Sequence, residues 1–274
     1  MPLGFLNLGL LFIFGTLVGS FLNVVILRFN TGKPIVSLRS DGKVSRSECF
    51  SCGKTLKWWE LVPVLSFLIL RGKCSACHAK ISWQYPIVEI ANGAILVLIY
   101  LKFGAIWSIV FYFLVWCTLL VITVYDLKHK IIPDFFVFTF IFLSLVANIL
   151  FGWPLSSVLV SLDFWAGPIF FAVFAGLWLV SGGRWLGFGD AKLVLGIGFL
   201  LGWLGGLSAL VLAFWIGAIF GLGLIAWGKL AEKLAEKNVI PLARLPRAFT
   251  RLTMKSEIPF APFLILGTAI AFFC

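Results

Sequence analysis

The chain has 274 residues, of which 61% are hydrophobic and only 12% charged, and its mean hydropathy is +1.08. Ordinary globular domains are about 45–50% apolar and about 25% charged, so a water-soluble fold is excluded; 29 Phe and 12 Trp exclude disorder as well. A net charge of +11 would suggest nucleic acid in a soluble protein, but here the basic residues collect in a few loops, the pattern that orients helices in a bilayer.

A hydrocarbon core about 30 Å thick needs roughly 20 helical residues. Apolar runs predict spans at 4–28, 86–101, 105–125, 132–151, 157–180, 191–203, 207–228 and 259–273, the second, sixth and eighth being short. The runs are unbroken, whereas strands of a membrane barrel would alternate. The expectation is an all-α polytopic membrane protein of about eight transmembrane helices. The first run lacks a basic leading segment and a small-residue cleavage site, so it reads as a mature helix and not a secretory signal. Residues 1–29 then hold the first transmembrane helix, 30–85 a polar loop rich in turns, and 86–274 the remaining membrane core.

With eight spans, 21 of the 22 Lys and Arg fall in loops on one side, leaving Lys102 alone on the other. Positive loops stay in the cytoplasm. Loop 30–85 is therefore expected in the cytoplasm and both termini outside the cytoplasmic (inner) membrane. The basic stretch 229–258 reads as a juxtamembrane anchor on anionic headgroups.

Loop 30–85 carries four of the six cysteines, Cys49, Cys52, Cys74 and Cys77, spaced C-x2-C-x21-C-x2-C. Two cysteines three apart on a tight turn present both thiolates to one edge of a tetrahedron, and a second such knuckle completes a zinc-ribbon-like site. Gly53 and Gly72 sit where these turns need conformational freedom. So short a loop has little core, which favours a structural Zn2+. Two disulfides are the competing reading, disfavoured in a reducing cytoplasm. His78 reads as exposed filler, and Cys117 and Cys274 as packing.

The chain has 11 acids, so those at membrane edges stand out. Asp126 closes the third span in VYDLKHKIIPD, Asp134 opens the fourth, and Asp190 lies in GFGDAK at the start of the sixth. All three fall on the cytoplasmic face. Asp126 and Asp190 are candidates for a facing pair in which one carboxyl stays protonated while the other takes a proton from water, the chemistry of an aspartic protease. The competing readings are a helix cap for Asp190 and a solvated loop acid for Asp126. Asp134 follows Pro133 at a helix start and reads as structural, as does Asp163 on the opposite side.

Taken in order, several segments resemble the type IV prepilin peptidases, bifunctional leader peptidase/N-methyltransferases of the GxGD aspartic class. They are GSFLNVVILR (19–28), CFSCGKTL from Cys49, VPVLSF (62–67), RGKCSACHAKIS (71–82), YPIVE (85–89), DLKHKIIPD (126–134), GFGDAKL (187–193) and PFAPFLILG (259–267). Asn30, Gln84 and Ala261 depart from the family's usual Pro, Arg and Gly. The resemblance implies that Asp126 and Asp190 are the catalytic pair. It implies that the cysteine loop is associated with methyl transfer, with Glu89 and Gly93 near that activity, and that S-adenosylmethionine is the methyl donor. The implied substrates are type IV prepilins or the pseudopilins of type II secretion, met in the lipid bilayer, with no nucleic acid partner. The implied reaction is leader removal at the cytoplasmic membrane face, followed by methylation of the new N-terminal amine.

Three alternatives remain open. One is a protease of the presenilin or signal-peptide-peptidase kind, which shares the Tyr-Asp and GxGD signatures but not the cysteine loop. A proton-coupled transporter is another, predicting midplane carboxylates and an internal repeat. The third is a peptidase without methyltransferase activity.

Overall fold

The computed structural model describes residues 5–29, 47–151, 162–236 and 259–274. The expectations for Asn30, for the start of loop 30–85, for 157–161 and for the basic connection beyond 236 lie outside the described residues. Among the described residues the regular structure is helical: α1 (Phe5–Arg28), α2 (Leu65–Ile69), α3 (Gln84–Lys102), α4 (Ile106–His129), α5 (Asp134–Phe151), α6 (Leu162–Ser181), α7 (Phe188–Glu236) and α8 (Ala261–Phe273). Six of these are long and apolar enough to cross a membrane, and α8 is a shorter apolar helix. The chain is a multi-pass membrane protein. It divides into two compact units, Met1–Tyr125 and Asp126–Cys274.

In the first unit, α1 lies directly on α3, and glycine makes the approach possible. A Cβ on Gly15 would stand 2.7 Å from the Gly93 Cα, one on Gly19 2.9 Å from the Glu89 Cα, and one on Gly93 2.9 Å from the Phe12 carbonyl oxygen. Small residues four apart are how membrane helices come together, because lipid supplies no hydrophobic push between them. The close approach lets the Asn92 amide donate to the Gly15 carbonyl at 2.8 Å, and the Cys117 thiol of α4 donates in turn to Asn92.

In the second unit, α7 has 49 residues, which as one straight helix would run about 74 Å, far beyond a bilayer core. It is broken at Gly202, where φ is 69° and ψ is −161°, a region essentially closed to other residues. Before the break, Phe188 packs on Trp178 and Phe171 while Gly198 meets Gly167, so this half runs antiparallel to α6. After it, Trp203 stacks on Phe170 and Phe214 packs on Phe174, so the second half runs parallel to α6. The chain therefore reverses at Gly202, giving two passes at 188–201 and 203–236.

The reversal leaves open backbone groups, and neighbours complete them. Asp163 accepts the Trp203 N–H at 2.8 Å, capping the second half, and a Cβ on Gly202 would come within 2.6 Å of that carboxylate. Asn148 of α5 donates to the carbonyls of Phe199 and Leu200, which end the first half. α5 follows the first half in parallel, through Gly196 against Phe140 and Lys192 against Asp134. α8 returns antiparallel to the second half, with Phe260 on Phe214 and Gly267 against Ala209 and Ala213.

The reversal should depend on the backbone freedom of Gly202. Gly202→Ala is expected to lower stability by about 1–3 kcal/mol, read as a lower thermal midpoint of the detergent-solubilised protein. Gly221→Ala, whose Cβ would enter open space, should leave the midpoint unchanged or raise it. Equal effects of the two substitutions would contradict the hairpin.

Candidate active site and metal centre

The four loop cysteines converge. Their sulfur atoms all lie within 4.8 Å of one another, and the Cys49 and Cys77 sulfurs are 3.9 Å apart. A tetrahedral ion with metal–sulfur bonds of about 2.3 Å requires sulfurs about 3.8 Å apart, so the set can hold a metal ion. All six cysteines are free thiols.

Two matching knuckles present the sulfurs. Glu48 bridges to Thr55, and Lys73 to Lys80. The Cys49 N–H donates to the Lys54 carbonyl and the Cys74 N–H to the Ala79 carbonyl, each at 2.9 Å. The Gly53 and His78 amides close the turns onto the Cys49 and Cys74 carbonyls. Gly53 has φ 69°, and His78, at the equivalent place, has φ 56°. His78 is thus an exposed turn residue outside the sulfur cluster. Backbone amides tune the thiols. Those of Cys77 and Ala76 hold Cys74 down to about 6, and those of Cys52 and Ser51 lower Cys49. At Cys77 the Ala79 amide lowers the thiol, but burial and the neighbouring thiols outweigh it and push it up to about 11. The knuckles therefore favour thiolates at Cys49 and Cys74, and a bound cation would draw off the remaining protons.

Glu60, in a short 3-10 turn (Trp58–Leu61), braces the two knuckles. It accepts the Lys57 N–H at 2.7 Å, the Ser75 hydroxyl, and the Lys54 ammonium at 2.9 Å. Those contacts, the Lys57 amide first, hold its carboxyl down to about 2, so it is anionic at any physiological pH.

Glu89 is buried on α3. It accepts the Val64 N–H at 2.8 Å and the Ser20 hydroxyl. Val64 has φ 61° and ψ −50°, a strained conformation for a β-branched residue. Nearby, Gln84 donates to Asn23, and Asn23 donates to the Tyr85 carbonyl. Among the described residues no Lys or Arg pairs with Glu89. Gly93, one turn further on, is filled by Phe12 of α1 and opens no cavity.

Asp126 and Asp190 both belong to the second unit, 4% and 7% exposed. Asp126 sits in the last turn of α4 and Asp190 in the first turn of α7. They are near enough for the charge of one to act on the other. The Gly187 N–H donates to Asp190 Oδ2 at 3.2 Å, the returning arm of a capping box, which orients that carboxylate and leaves Oδ1 without a hydrogen bond among the described residues. Among the described residues the Asp126 side chain forms no hydrogen bond. Gly189 is pressed against Ile132, where a Cβ would stand 3.0 Å from the isoleucine. Asp134 pairs instead with Lys192 at 2.6 Å, and the ammonium lies over the Phe138 and Phe188 rings.

The chain is similar to known proteins along most of its length. The family model described as the bacterial peptidase A24 N-terminal domain matches residues 13–103, and that of the type IV leader peptidase family matches residues 111–222. A prepilin leader peptidase/N-methyltransferase of Aeromonas salmonicida is 31% identical over 81% of this chain and 83% of its own length. Proteins of the same name from Stutzerimonas stutzeri and Burkholderia pseudomallei are 33% and 30% identical, covering 80% and 100% of this chain and 81% and 87% of theirs. The chain belongs to the type IV leader peptidase family. It is an enzyme, a membrane-embedded protease. No solved structure matches it.

In this leader peptidase the sequence pattern marks the four cysteines, both buried aspartates and Glu89. It misses Ser20, which donates to Glu89, Asn23 and Asn92, which hydrogen-bond α1 to α3, and Glu60. The spacing of Ser20 and Asn23 just after Gly19 was the available signal, polar residues on one face of an otherwise apolar span. Gln84, a departure from the family pattern, is Asn23's hydrogen-bond donor, and Ala261 is buried at the first position of α8.

The matched knuckles predict unequal tolerance. His78→Gly should retain metal and stabilise the leader peptidase by about 1 kcal/mol, because glycine removes the left-handed penalty. Gly53→Val should lose about 1–3 kcal/mol and release metal more readily. Metal content and the thermal midpoint measure both, and a destabilised His78→Gly would refute the equivalence.

Proposed function

We propose that this protein removes the leader of type IV prepilins or pseudopilins with Asp126 and Asp190 as the catalytic pair, and methylates the new N-terminal amine. The observation that carries the reading is the pair itself: two buried carboxylates from different helices, within electrostatic reach, in a chain with 11 acids. Two such groups do not both ionise easily. One takes a proton from the water that attacks the scissile carbonyl carbon. The other donates its proton to the developing oxyanion; as the tetrahedral centre collapses and the C–N bond breaks, the proton taken from water passes to the leaving amine and the donated proton goes back to its carboxylate. Gly187 adds no side chain against the Asp190 carboxylate, and Gly189 lets Ile132 pack close beside it.

For methylation, the buried Glu89 carboxylate has no cationic partner among the described residues, which suits a positively charged ligand such as the sulfonium of S-adenosylmethionine or the substrate ammonium. When bound, S-adenosylmethionine supplies the methyl group. Ser20 and the Val64 amide orient Glu89, and Gly93 contributes by letting α1 close on α3. The four thiols suit Zn2+ in a structural role, because they fill a tetrahedron and leave no open position for water. Residues 1–29, 30–85 and 86–274 then act as first span, metal-binding loop and peptidase core.

Co-expression with a prepilin, followed by intact mass of the product, tests the assignment. Asp126→Asn and Asp190→Asn should each abolish leader loss, since Asn cannot shuttle a proton, whereas Asp134→Asn should retain it. Cys74→Ser with Cys77→Ser should remove the metal and reduce the added methyl more than leader loss. Normal processing by either dyad variant would sink the pairing, and equal loss of both activities in the cysteine variant would sink the division of labour.

The lopsided distribution of Lys and Arg supports an inner-membrane enzyme with the cysteine loop and both aspartates on the cytoplasmic side and both termini outside. Reporter fusions at position 60 and at the C-terminus should give opposite signals; the same sidedness for both would overturn the topology.

A further inference from the structure

The segment between α1 and α3 is held to the membrane-spanning part of its own unit at a defined depth. Val64 donates its N–H to Glu89 at 2.8 Å. Glu89 lies five residues inside the span Gln84–Lys102, about 7.5 Å along the helix from its first residue. The next residue after Val64 begins α2, so that helix starts level with the opening turns of a span.

The side chains of α2 sort by face. Phe67 turns inward and is 8% exposed, with its ring 4.8 Å from that of Trp83 and its edge against Gly72. Leu65, Leu68 and Ile69 are 56%, 61% and 68% exposed, and their spacing places them on one face. Trp58 and Trp83 are also exposed. Around them, Lys57, Arg71, Lys73 and Lys80 are exposed, while of the two acids in residues 47–83 Glu60 is buried against Lys54 and Glu48 is exposed.

We propose that the Leu65–Leu68–Ile69 face of α2 docks on the bilayer itself, at the boundary of headgroups and acyl chains, on a leaflet containing anionic lipid. Depth, composition and charge all point to this occupant. An apolar ridge fixed level with the start of a span meets acyl chains and not bulk water. Tryptophan favours the membrane–water boundary. The exposed cations complement anionic headgroups. Both ends of the segment enter spans, so docking adds little further ordering. The consequence is that the four-cysteine cluster, whose second knuckle follows α2 directly, is carried on a platform resting on lipid.

The test uses the full chain in vesicles of phosphatidylethanolamine and phosphatidylglycerol. A benzophenone amino acid is placed at Leu68, or at Thr55 on the far knuckle as a control. After illumination, the Leu68 probe should give a lipid adduct by intact mass and the Thr55 probe none. Replacing phosphatidylglycerol with phosphatidylcholine should reduce the Leu68 adduct. Ile69→Glu should cause its loss, with metal content unchanged to show that the loop is still folded. Adducts at Leu68 formed only with protein (the same chain, a second copy or an added prepilin) would overturn the proposal, as would equal lipid labelling at Leu68 and Thr55. Labelling indifferent to phosphatidylglycerol would overturn its anionic part.

Discussion

Inside a bilayer, burying a helix against another helix gains little over burying it in lipid, so association depends on how near two backbones can come. This chain meets that constraint with glycine. Gly15 and Gly19 bring α1 onto α3, Gly167 and Gly198 bring α6 onto the first half of α7, and Gly267 brings α8 onto the second half. Each approach then allows something a wider spacing would forbid. The first puts Asn92 on a backbone carbonyl and Ser20 on Glu89. The others leave Asp190 at the head of a well-packed helix. Between these helices, polar groups sit where close backbone contact has made room for them.

The spans were legible because hydrophobic length is a coarse property that tertiary context barely alters. All of the runs read as spans correspond to helical passes in the described residues, with boundaries moved by a few residues. The reversal at Gly202 was not legible. The residues Leu-Gly-Trp-Leu-Gly-Gly suggest a short connection, but which glycine turns the chain depends on where Asp163 and Asn148 arrive from other helices. The cysteine cluster was legible because ligand spacing is local, and the same logic places His78 in a turn only once its backbone is matched with that of Gly53.

The carboxylates show where pattern reading stops. Cap and catalyst read as alternatives for Asp190 in the sequence, yet its carboxylate receives a capping hydrogen bond through one oxygen and faces the influence of Asp126 as well. A sequence cannot apportion two oxygens of one side chain. Gly93 makes the converse point. Its neighbourhood to Glu89 is visible in the sequence, but its contact with Phe12 belongs to a helix some eighty residues away.

Val64 holds the loop in a conformation that would relax if released. A residue forced into sparsely populated backbone space stores about 1–3 kcal/mol, and a hydrogen bond contributes about 0.5–3 kcal/mol depending on the charge of its acceptor. The two are of similar order, so the Val64–Glu89 contact offsets much of the strain that it accompanies. Any ligand that competes for the Glu89 carboxylate loosens the start of α2. The second cysteine knuckle follows α2 directly, so it would register occupancy of that carboxylate through the main chain.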